Sequence, residues 1–137
     1  MHDVYVGVAS NVDPERQLRR ALAELERRLG PIERSPAFRS RALGAAAADY
    51  SNMAVRFATV LSPPALAAEL KGIEAALGRT RGVASRCEID LDLLLYGRRV
   101  DAGLRLPHPD VLRRPFVLQP LALLAPALLH PVTGVRM

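Results

Sequence analysis

The stretch Arg86-Cys-Glu-Ile-Asp-Leu-Asp-Leu-Leu-Leu-Tyr-Gly97 sets an acidic pair inside the most strand-like run of the chain. Its apolar residues alternate with Asp90 and Asp92, and alternation with period two is typical of a half-buried β-strand. Both carboxylates would then project from one face, with Cα atoms about 6.5–7 Å apart. Such a pair suits Mg²⁺, which leaves further coordination sites to water and phosphate oxygens. Solvated aspartates at a strand end are the alternative, and the pattern alone leaves both open.

Strands and helices are also predicted before this stretch. Leu18, Leu22 and Leu25 recur at helical spacing behind Pro14, a residue that suits the first turn of a helix. The predicted elements are a strand over Val4–Ala9, a helix from Pro14 that stops at Gly30, a weaker strand over Ile32–Phe38, a strand over Tyr50–Thr59 and a helix that starts at 62–64 and stops at Gly78. We interpret the small, featureless segment 40–49 as a loop.

The remaining elements complete a recognisable order. Two short strands are expected over Arg98–Val100 and Leu104–Leu106, and a final helix opens at Arg113 and contains Pro120. Strand, helix, strand, strand, helix, strand is the order of a split βαβ unit. We therefore predict an α+β fold of ferredoxin-like type, with a mostly antiparallel sheet covered by helices and an added C-terminal hairpin and helix. At 137 residues the chain fits a single domain over residues 1–137.

The positive charge of the chain has two equally good explanations. The net charge of +5 rests almost wholly on arginine, because Lys71 is the only lysine. A guanidinium suits bidentate contacts to phosphate, so the charge is consistent with an anionic ligand. Richness in Ala, Arg, Leu and Pro is also what GC-rich coding produces. Composition therefore leaves the ligand open.

Cysteine content and apolar runs bear on the compartment. Cys87 is the only cysteine, so the chain can form no internal disulfide, which is consistent with a reducing cytoplasm. The N-terminus shows no cationic segment followed by an apolar one, and no apolar run approaches a membrane span. We expect a cytoplasmic monomer that does not bind membranes.

A short basic segment, Arg79–Arg86, leads directly into the acidic strand. This order would place guanidinium groups beside a possible two-metal site, as phosphoryl transfer requires for the charge on the transferred oxygens. His108 lies between two prolines and should be displayed, although a lone histidine is more often incidental than functional. The residues alone thus predict an acidic, metal-binding strand beside arginines that handles a phosphorylated ligand.

Motifs along the whole chain occur together in one known family. They are Val8-Ala-Ser-Asn11, Tyr50-x-Asn52, Ile73-Glu74, Gly78-Arg-x-Arg81, Ile89-Asp-Leu-Asp-Leu-Leu-Leu-Tyr-Gly97, Leu106-Pro-His-Pro109 and Arg114-x-Phe-Val-Leu-x-Pro-Leu121. Through them the chain resembles the 6-hydroxymethyl-7,8-dihydropterin pyrophosphokinases, folate-biosynthesis enzymes that transfer the pyrophosphoryl group of ATP to a pterin alcohol and release AMP. The Ile-Asp-Leu-Asp run with Pro-His-Pro at its usual distance is the most specific part. The resemblance favours the metal-binding interpretation of Asp90 and Asp92.

The resemblance also implies a role for each matching residue. Asp90 and Asp92 would be catalytic and hold two Mg²⁺ ions that bridge the phosphates of the co-substrate ATP. The implied pterin-binding residues are Ser40, Leu43, Tyr50, Asn52 and Phe116. The implied ATP-binding residues are Glu74, Arg81, His108 and Arg114. Tyr50 and Phe116 would flank the pterin ring, with ordinary core packing as the alternative.

Two arginines, Arg79 and Arg86, are implied to be catalytic. The family usually places an arginine on the strand side of this loop, at the position that Cys87 occupies here. A one-residue slip along a strand reverses the face, so Arg86 can replace that arginine only where the backbone is irregular. Because the loop between Arg81 and Asp90 is shorter than usual in the family, we expect Arg86 to take over the role.

Two other functions remain open. A divergent relative could keep nucleotide or pterin binding and act slowly, or act on another pterin. A basic ferredoxin-like module could instead bind RNA, but the predicted strands carry too few aromatic residues for a base-stacking platform. We therefore expect small-molecule substrates, ATP and a hydroxymethyl-pterin, and no nucleic acid.

Overall fold

The structure is a computed structural model that describes residues 1–41, 48–80 and 86–137. Its regular elements follow the predicted order. They are β1 (His2–Ser10), α1 (Pro14–Leu29), β2 (Glu33–Arg34), β3 (Phe38–Ser40), β4 (Tyr50–Thr59), α2 (Pro63–Ala76), β5 (Asp90–Tyr96) and α3 (Pro115–Leu124). Each of the three helices has proline in its first turn, where the missing N–H costs nothing. The proline and glycine positions therefore located the helix starts correctly.

The strands form one sheet in the order β2-β4-β1-β5, with β3 also paired to β4. Every strand pairing is antiparallel. The pair β2–β3 is an outer strand interrupted in its middle, and β4 separates it from β1. This arrangement confirms the predicted α+β fold of ferredoxin-like type with an antiparallel sheet.

Helices α1 and α2 cover one face of the sheet. Leu18, Ala21 and Leu25 make the buried stripe of α1, while the opposite side of that helix is charged. The core between these helices and the sheet is aliphatic. Among its most buried members are Val4, Val6, Val8, Val55, Leu66, Leu70, Ile73 and Ile89. The predicted aliphatic core is thus present.

Helix α3 covers part of the opposite face, where it packs across β4 and β3. A second, smaller apolar cluster lies beneath it. This cluster contains Tyr5, Ala54, Leu94, Leu95, Val111 and Leu121. Because α3 is only ten residues long, it covers only part of this face of the sheet.

Local irregularities separate the structure from the predicted pattern. Ser35 interrupts the outer strand: its N–H donates to Ala54 O, and its Oγ accepts the Ala54 N–H, both at 2.9 Å. In β5 the register shifts between Tyr5 and Val6, so Leu94 is an extra, bulged residue. Leu94 and Leu95 are therefore both buried in the cluster beneath α3, and strict alternation ends there.

The predicted C-terminal hairpin is wrong in detail. A single antiparallel bridge joins Asp101 to Leu106, and a 3₁₀ turn over Ala102–Leu104 replaces the start of the second strand. Asp101 Oδ1 accepts the Leu104 N–H at 3.3 Å and closes this turn. The side-chain cap competes locally with strand pairing, and propensity alone does not show which one prevails.

Candidate active site

The central strand β1 aligns the two sets of polar residues that the sequence singled out. Ala9 pairs with Asn52 on one side and with Asp90 on the other, and Gly7 pairs with Asp92. Directly paired residues project from the same face, so Asn52 and Asp90 flank Ala9 in one row of about 9.5 Å, two strand spacings. Since Ala9 carries only a methyl group, it leaves a low floor between the two polar groups, whereas the side chain of Leu94 lies over Gly7. A flat ligand beside Asn52 and a phosphate chain beside Asp90 can share this row.

The acidic pair on β5 is under electrostatic strain. Burial first, and then the negative charge of Asp90, raise the pKa of Asp92 from 3.8 to about 8. Glu74 and Asp110 add to this effect. Two carboxylates that resist simultaneous ionisation are a site for a cation, whose charge removes the repulsion.

The two carboxylates are more typical of a Mg²⁺ site, where substrate supplies further ligands, than of a metal held entirely by protein side chains. Across residues 1–41, 48–80 and 86–137, no three His, Cys, Asp or Glu side chains converge as a ligand group. Mg²⁺ usually binds through one or two carboxylates together with substrate phosphates. Asp90 and Asp92 would therefore hold such ions jointly with a nucleotide.

Arg79 is the cation that lies against the acidic pair. Its Nη1 donates to Ile89 O at 2.8 Å and to Asp90 Oδ1 at 3.2 Å. Its Nε is buried and has no hydrogen-bond partner among the residues described. A buried donor without a partner costs about 1–3 kcal/mol, and the contacts of Nη1 hold the guanidinium in place beside Asp90.

Glu74 supports this arrangement from α2. Its Oε2 accepts the N–H of Leu91, the residue between the two aspartates, at 2.7 Å. The same oxygen lies 3.8 Å from Arg79 Nη1. Because Glu74 is buried, with its side chain 5% exposed, the structure places it behind β5, where it positions the acidic strand.

Arg86 faces a different carboxylate. Its Nε donates to Glu88 Oε1 at 3.0 Å, and its side chain is 55% exposed. Glu88 also accepts the Thr80 N–H at 3.2 Å, so one buried carboxylate joins the two ends of the segment 81–85. Burial opposes ionisation of Glu88, but the hydrogen bonds from Thr80 and Arg86 outweigh it and lower its pKa to about 2.

Cys87 lies inside the site, where it connects three segments. Its N–H donates to Asn11 Oδ1 at 2.7 Å, and the Asn11 N–H donates to Cys87 O at 2.9 Å. The thiol interacts with the Tyr50 side chain. Burial raises the pKa of the Cys87 thiol to about 11, although the charge of Arg79 opposes this.

We expect Cys87 to be unreactive in the folded protein. Its thiolate fraction at pH 7.5 should be about 100-fold lower than in the unfolded chain, where the pKa is near 9.0. Alkylation by iodoacetamide, followed by mass spectrometry, should be at least about 100-fold slower in native protein than in urea, and should accelerate about tenfold per pH unit. Equal rates in the two states would contradict the burial and the raised pKa.

Three of the residues expected to bind the pterin, Ser40, Tyr50 and Asn52, lie together where β3 pairs with β4. Asn52 Nδ2 donates to Ser40 Oγ at 2.8 Å and to Phe38 O at 3.3 Å, which ties β4 to β3. The Asn52 carbonyl oxygen accepts no hydrogen bond from any described residue. Phe116 begins α3 and is half-buried, on the helix that packs over β4 and β3.

His108 interacts electrostatically with Asp90, and Arg114 approaches Asp110. The His108 N–H donates to Leu94 O at 2.8 Å, and its Nδ1 accepts the Asp110 N–H at 3.1 Å. Burial lowers the pKa of His108, so the neutral ring carries its proton on Nε2 and offers one donor. The ring is half-buried, less displayed than its flanking prolines predicted. Arg114 Nε lies 4.0 Å from Asp110 Oδ1.

Two residues predicted to belong to the site are not among those described, and two carboxylates of the site were not predicted. Leu43 and Arg81 lie outside the described residues. Glu88 and Asp110 were not anticipated, yet Glu88 binds Thr80 and Arg86, which flank the segment 81–85, and Asp110 carries charge near Asp92. The available signal was their position, since each carboxylate lies within two residues of a motif residue.

Within the ranges described, no helix is long and apolar enough to cross a membrane.

Comparison with known proteins identifies the family. The family model described as 7,8-dihydro-6-hydroxymethylpterin-pyrophosphokinase matches residues 5–126. A Synechocystis protein named 2-amino-4-hydroxy-6-hydroxymethyldihydropteridine pyrophosphokinase is 42% identical, over 97% of this chain and 71% of that protein. A protein of the same name from Aquifex aeolicus is 33% identical, over 96% of this chain and 86% of its own length.

A longer protein also contains a matching region. The folate synthesis bifunctional protein, mitochondrial, of Pisum sativum is 46% identical over 53% of this chain, which corresponds to 15% of that protein. The match to the family model covers β1 from Tyr5 onward, the other four strands and all three helices. This chain therefore belongs to the 7,8-dihydro-6-hydroxymethylpterin-pyrophosphokinase family.

Proposed function

We propose that this protein transfers the pyrophosphoryl group of ATP to the hydroxyl of 6-hydroxymethyl-7,8-dihydropterin in folate biosynthesis. The pterin oxygen would form a bond to the β-phosphorus of ATP, the bond from that phosphorus to the α-phosphate oxygen would break, and AMP would leave. Family membership supports this reaction. The observation that carries it is the row in which Ala9 separates Asn52 from Asp90 on one face of the sheet.

The acidic half of the row would hold the nucleotide end of the reaction. Mg²⁺ ions bound at Asp90 and Asp92 would neutralise charge on the phosphates. Arg79 would direct its guanidinium at the same oxygens, since its Nη1 already lies beside Asp90 and its side chain is partly exposed. His108 Nε2 would supply a neutral donor at the edge of the site. We propose ATP contacts for Arg81 and Arg114 as well, and Arg86 would add charge from the rim.

The half of the row that contains Asn52 would bind the pterin ring and recognise its polar edge. Both N–H groups of Asn52 already hold β3, so its carbonyl oxygen is the atom that would accept an N–H of the ring. Tyr50 and Phe116 would enclose the ring from the strand and the helix, while Ser40 and Leu43 would complete the pocket. No protein nucleophile is needed, because the substrate hydroxyl attacks directly.

One assay tests the proposed reaction. Purified protein would be mixed with ATP, Mg²⁺ and 6-hydroxymethyl-7,8-dihydropterin, and the nucleotide products separated by ion-exchange chromatography. We expect AMP in amounts that match the pterin consumed. ADP as the product, or AMP formed equally without pterin, would overturn the proposal. An Asp92→Asn variant prepared in parallel controls for contaminating enzymes.

Asn52→Ala should weaken pterin binding far more than ATP binding. Loss of the amide leaves ring groups of the substrate unpaired in a buried position, at a cost of about 1–3 kcal/mol, or roughly 5- to 150-fold in Kd. Titration calorimetry with each ligand separately would measure both effects. Ser51→Ala, on the next residue of β4 and the opposite face of the sheet, is the matched control. Equal losses for both ligands would contradict the assignment of Asn52 to the pterin.

A slow or repurposed relative is the second candidate function, and the departure at Cys87 favours it. In the structure, Arg86 pairs with Glu88 and does not contact Asp90, so the guanidinium that the family supplies at position 87 has no direct substitute there. A turnover rate that rises on exchange of residues 86 and 87 would support this candidate.

The remaining expectations form part of the same proposal. We propose one functional domain over residues 1–137, because both apolar clusters share a single sheet. We also propose a cytoplasmic monomer that acts on small molecules and does not bind nucleic acid. Size-exclusion chromatography with light scattering, at concentrations above and below the assay concentration, tests the monomer.

A further inference from the structure

A second groove lies on the opposite face of the sheet from the candidate active site. It runs between α1 and the outer strand pair β2–β3 and has a volume of about 400 Å³. Ser51 and Met53 of β4 line it, whereas the intervening Asn52 points to the active-site face. The thickness of the sheet therefore separates the groove from the candidate active site. Its volume lies within the range of about 300–1,000 Å³ found for small-molecule pockets.

Three arginines line this groove, Arg19 from α1 and Arg34 and Arg39 from the outer strand pair. Among the residues that the structure describes, none of the three makes an ion pair or a side-chain hydrogen bond. Neighbouring arginines differ in this respect. Arg27 and Arg28 both pair with Glu24, and Arg56 pairs with Glu33. Among the same described residues, Arg16 and Arg20 of α1 also form no ion pair, but they do not line the groove, so the groove is distinguished by three unpaired guanidinium groups that share one lining.

One carboxylate, Glu15, also lines the groove, so the lining has a net positive charge. The groove reaches the first turn of α1, where Pro14 and Glu15 lie. Asp13 occupies the cap position without a side-chain hydrogen bond to the helix. The positive end of the helix dipole therefore adds to the field of the three guanidinium groups.

The floor of the groove is apolar. Met53 and Leu18 are almost fully buried beneath it, and Leu22 is partly buried beside them. A methionine sulfur makes favourable contacts with aromatic rings, and guanidinium forks bind phosphate oxygens in pairs. An inorganic anion would contact only the arginines at the rim and leave the apolar floor in contact with water. An aromatic ring that carries a phosphate would contact both the arginines and the floor.

We propose that this groove binds a small molecule in which an aromatic ring carries a phosphate group, the chemical class of the nucleoside monophosphates. The ring lies on Met53 and Leu22, and the phosphate lies between Arg34 and Arg39. Binding here needs no divalent cation, because the charge is supplied by arginine. The inference is independent of the reaction proposed for the other face of the sheet.

The test uses the full chain, with AMP as the probe and EDTA present to remove divalent cations. Two-dimensional ¹H–¹⁵N NMR should show AMP-dependent shifts at the amides of Leu22, Arg34 and Met53. The double variant Arg34→Gln with Arg39→Gln should raise the Kd about tenfold or more, since two charge-assisted contacts are lost. The control Arg16→Gln with Arg98→Gln removes the same charge from exposed positions outside the groove and should change the Kd by less than about twofold.

Two further measurements keep the outcome decisive if the double variant is poorly folded. Glu15→Gln removes the carboxylate from the lining and should tighten AMP binding. Inorganic phosphate, titrated alone, should bind more weakly than AMP because it cannot use the apolar floor. Equal affinity for the two ligands would mean an adventitious ion only and would overturn the proposal. Shifts confined to amides near Asn52 and Asp92, or equal losses in both double variants, would overturn it as well.

Discussion

Asp92→Ala is expected to abolish pyrophosphoryl transfer and to leave the fold intact. Loss of one ligand from the acidic pair forfeits several kcal/mol of charge stabilisation, and about 4 kcal/mol corresponds to a rate loss of about 10³-fold. The fold should tolerate the change, because Asp92 makes its unfavourable contacts with Asp90, Glu74 and Asp110. AMP release in the presence of Mg²⁺ measures the effect. Asp3→Ala, an exposed aspartate at the other end of the same face, is the matched control.

The same residue predicts how the metal-free protein responds to pH. The pKa of Asp92 is about 8 in the folded protein and 3.8 as the ordinary value, so the folded state binds the proton more tightly. The stability that this proton supplies is complete below pH 3.8 and is lost as the pH rises through about 8. Melting temperatures in EDTA should therefore fall between pH 6 and pH 9 in the wild type, and fall less in Asp92→Asn. Parallel curves of melting temperature against pH for the two proteins would show that Asp92 has an ordinary pKa. Separately, full activity of Asp92→Ala with Mg²⁺ would show that Asp92 is not a metal ligand.

Arg79→Ala is the second change with a large expected effect. Arg79 contacts Asp90 directly and is less exposed than Arg86, so its charge is the one best placed for the transferred phosphate. Removal of one preorganised donor at a developing charge costs about 2.7–4 kcal/mol, or about 10²–10³-fold in kcat. Single-turnover quench kinetics would separate this loss from any change in ATP binding. Arg86→Ala, which removes a more exposed guanidinium paired with Glu88, should cost less.

The exchange Arg86→Cys with Cys87→Arg decides between the two candidate functions. A faster exchanged protein would show that Arg86 does not replace the arginine of the family, and that this chain is a weakened relative. A slower one would show that the loop brings Arg86 to the phosphates during the reaction, as expected from its shortened length. Cys87→Ala alone should change kcat little, because the thiol is neutral at physiological pH. A loss in Arg86→Ala as large as that in Arg79→Ala would contradict the order we infer from the contacts.

Local patterns in the chain were sufficient for most of the scaffold. Alternation around Asp90 and Asp92 predicted β5, and Pro14, Pro63 and Pro115 marked the first turns of the helices. These signals work because the fixed φ of proline and the alternation of strand side chains are properties of a few consecutive residues. The order of the elements then left few ways to build one sheet, and the ferredoxin-like order was among them.

Tertiary structure decided the features that give the site its chemistry. The register of β1 placed Asn52 and Asp90 in one row, and those two residues are far apart in the sequence. Packing of α2 brought Glu74 behind the acidic strand, and burial raised the pKa of Asp92 to about 8. The choice of Arg79 over Arg86 as the partner of Asp90 was likewise open in the sequence.

The set of elements, their order and the identity of the acidic pair could therefore be predicted before folding, since each depends on neighbouring residues. Which charges meet depends on the folded chain. Coulomb energies depend on distance and on burial, and both are set by strand register and helix packing. The same reason explains the groove beside α1: the sequence shows Arg19, Arg34 and Arg39 only as separate surface charges, and the fold brings them together over Met53.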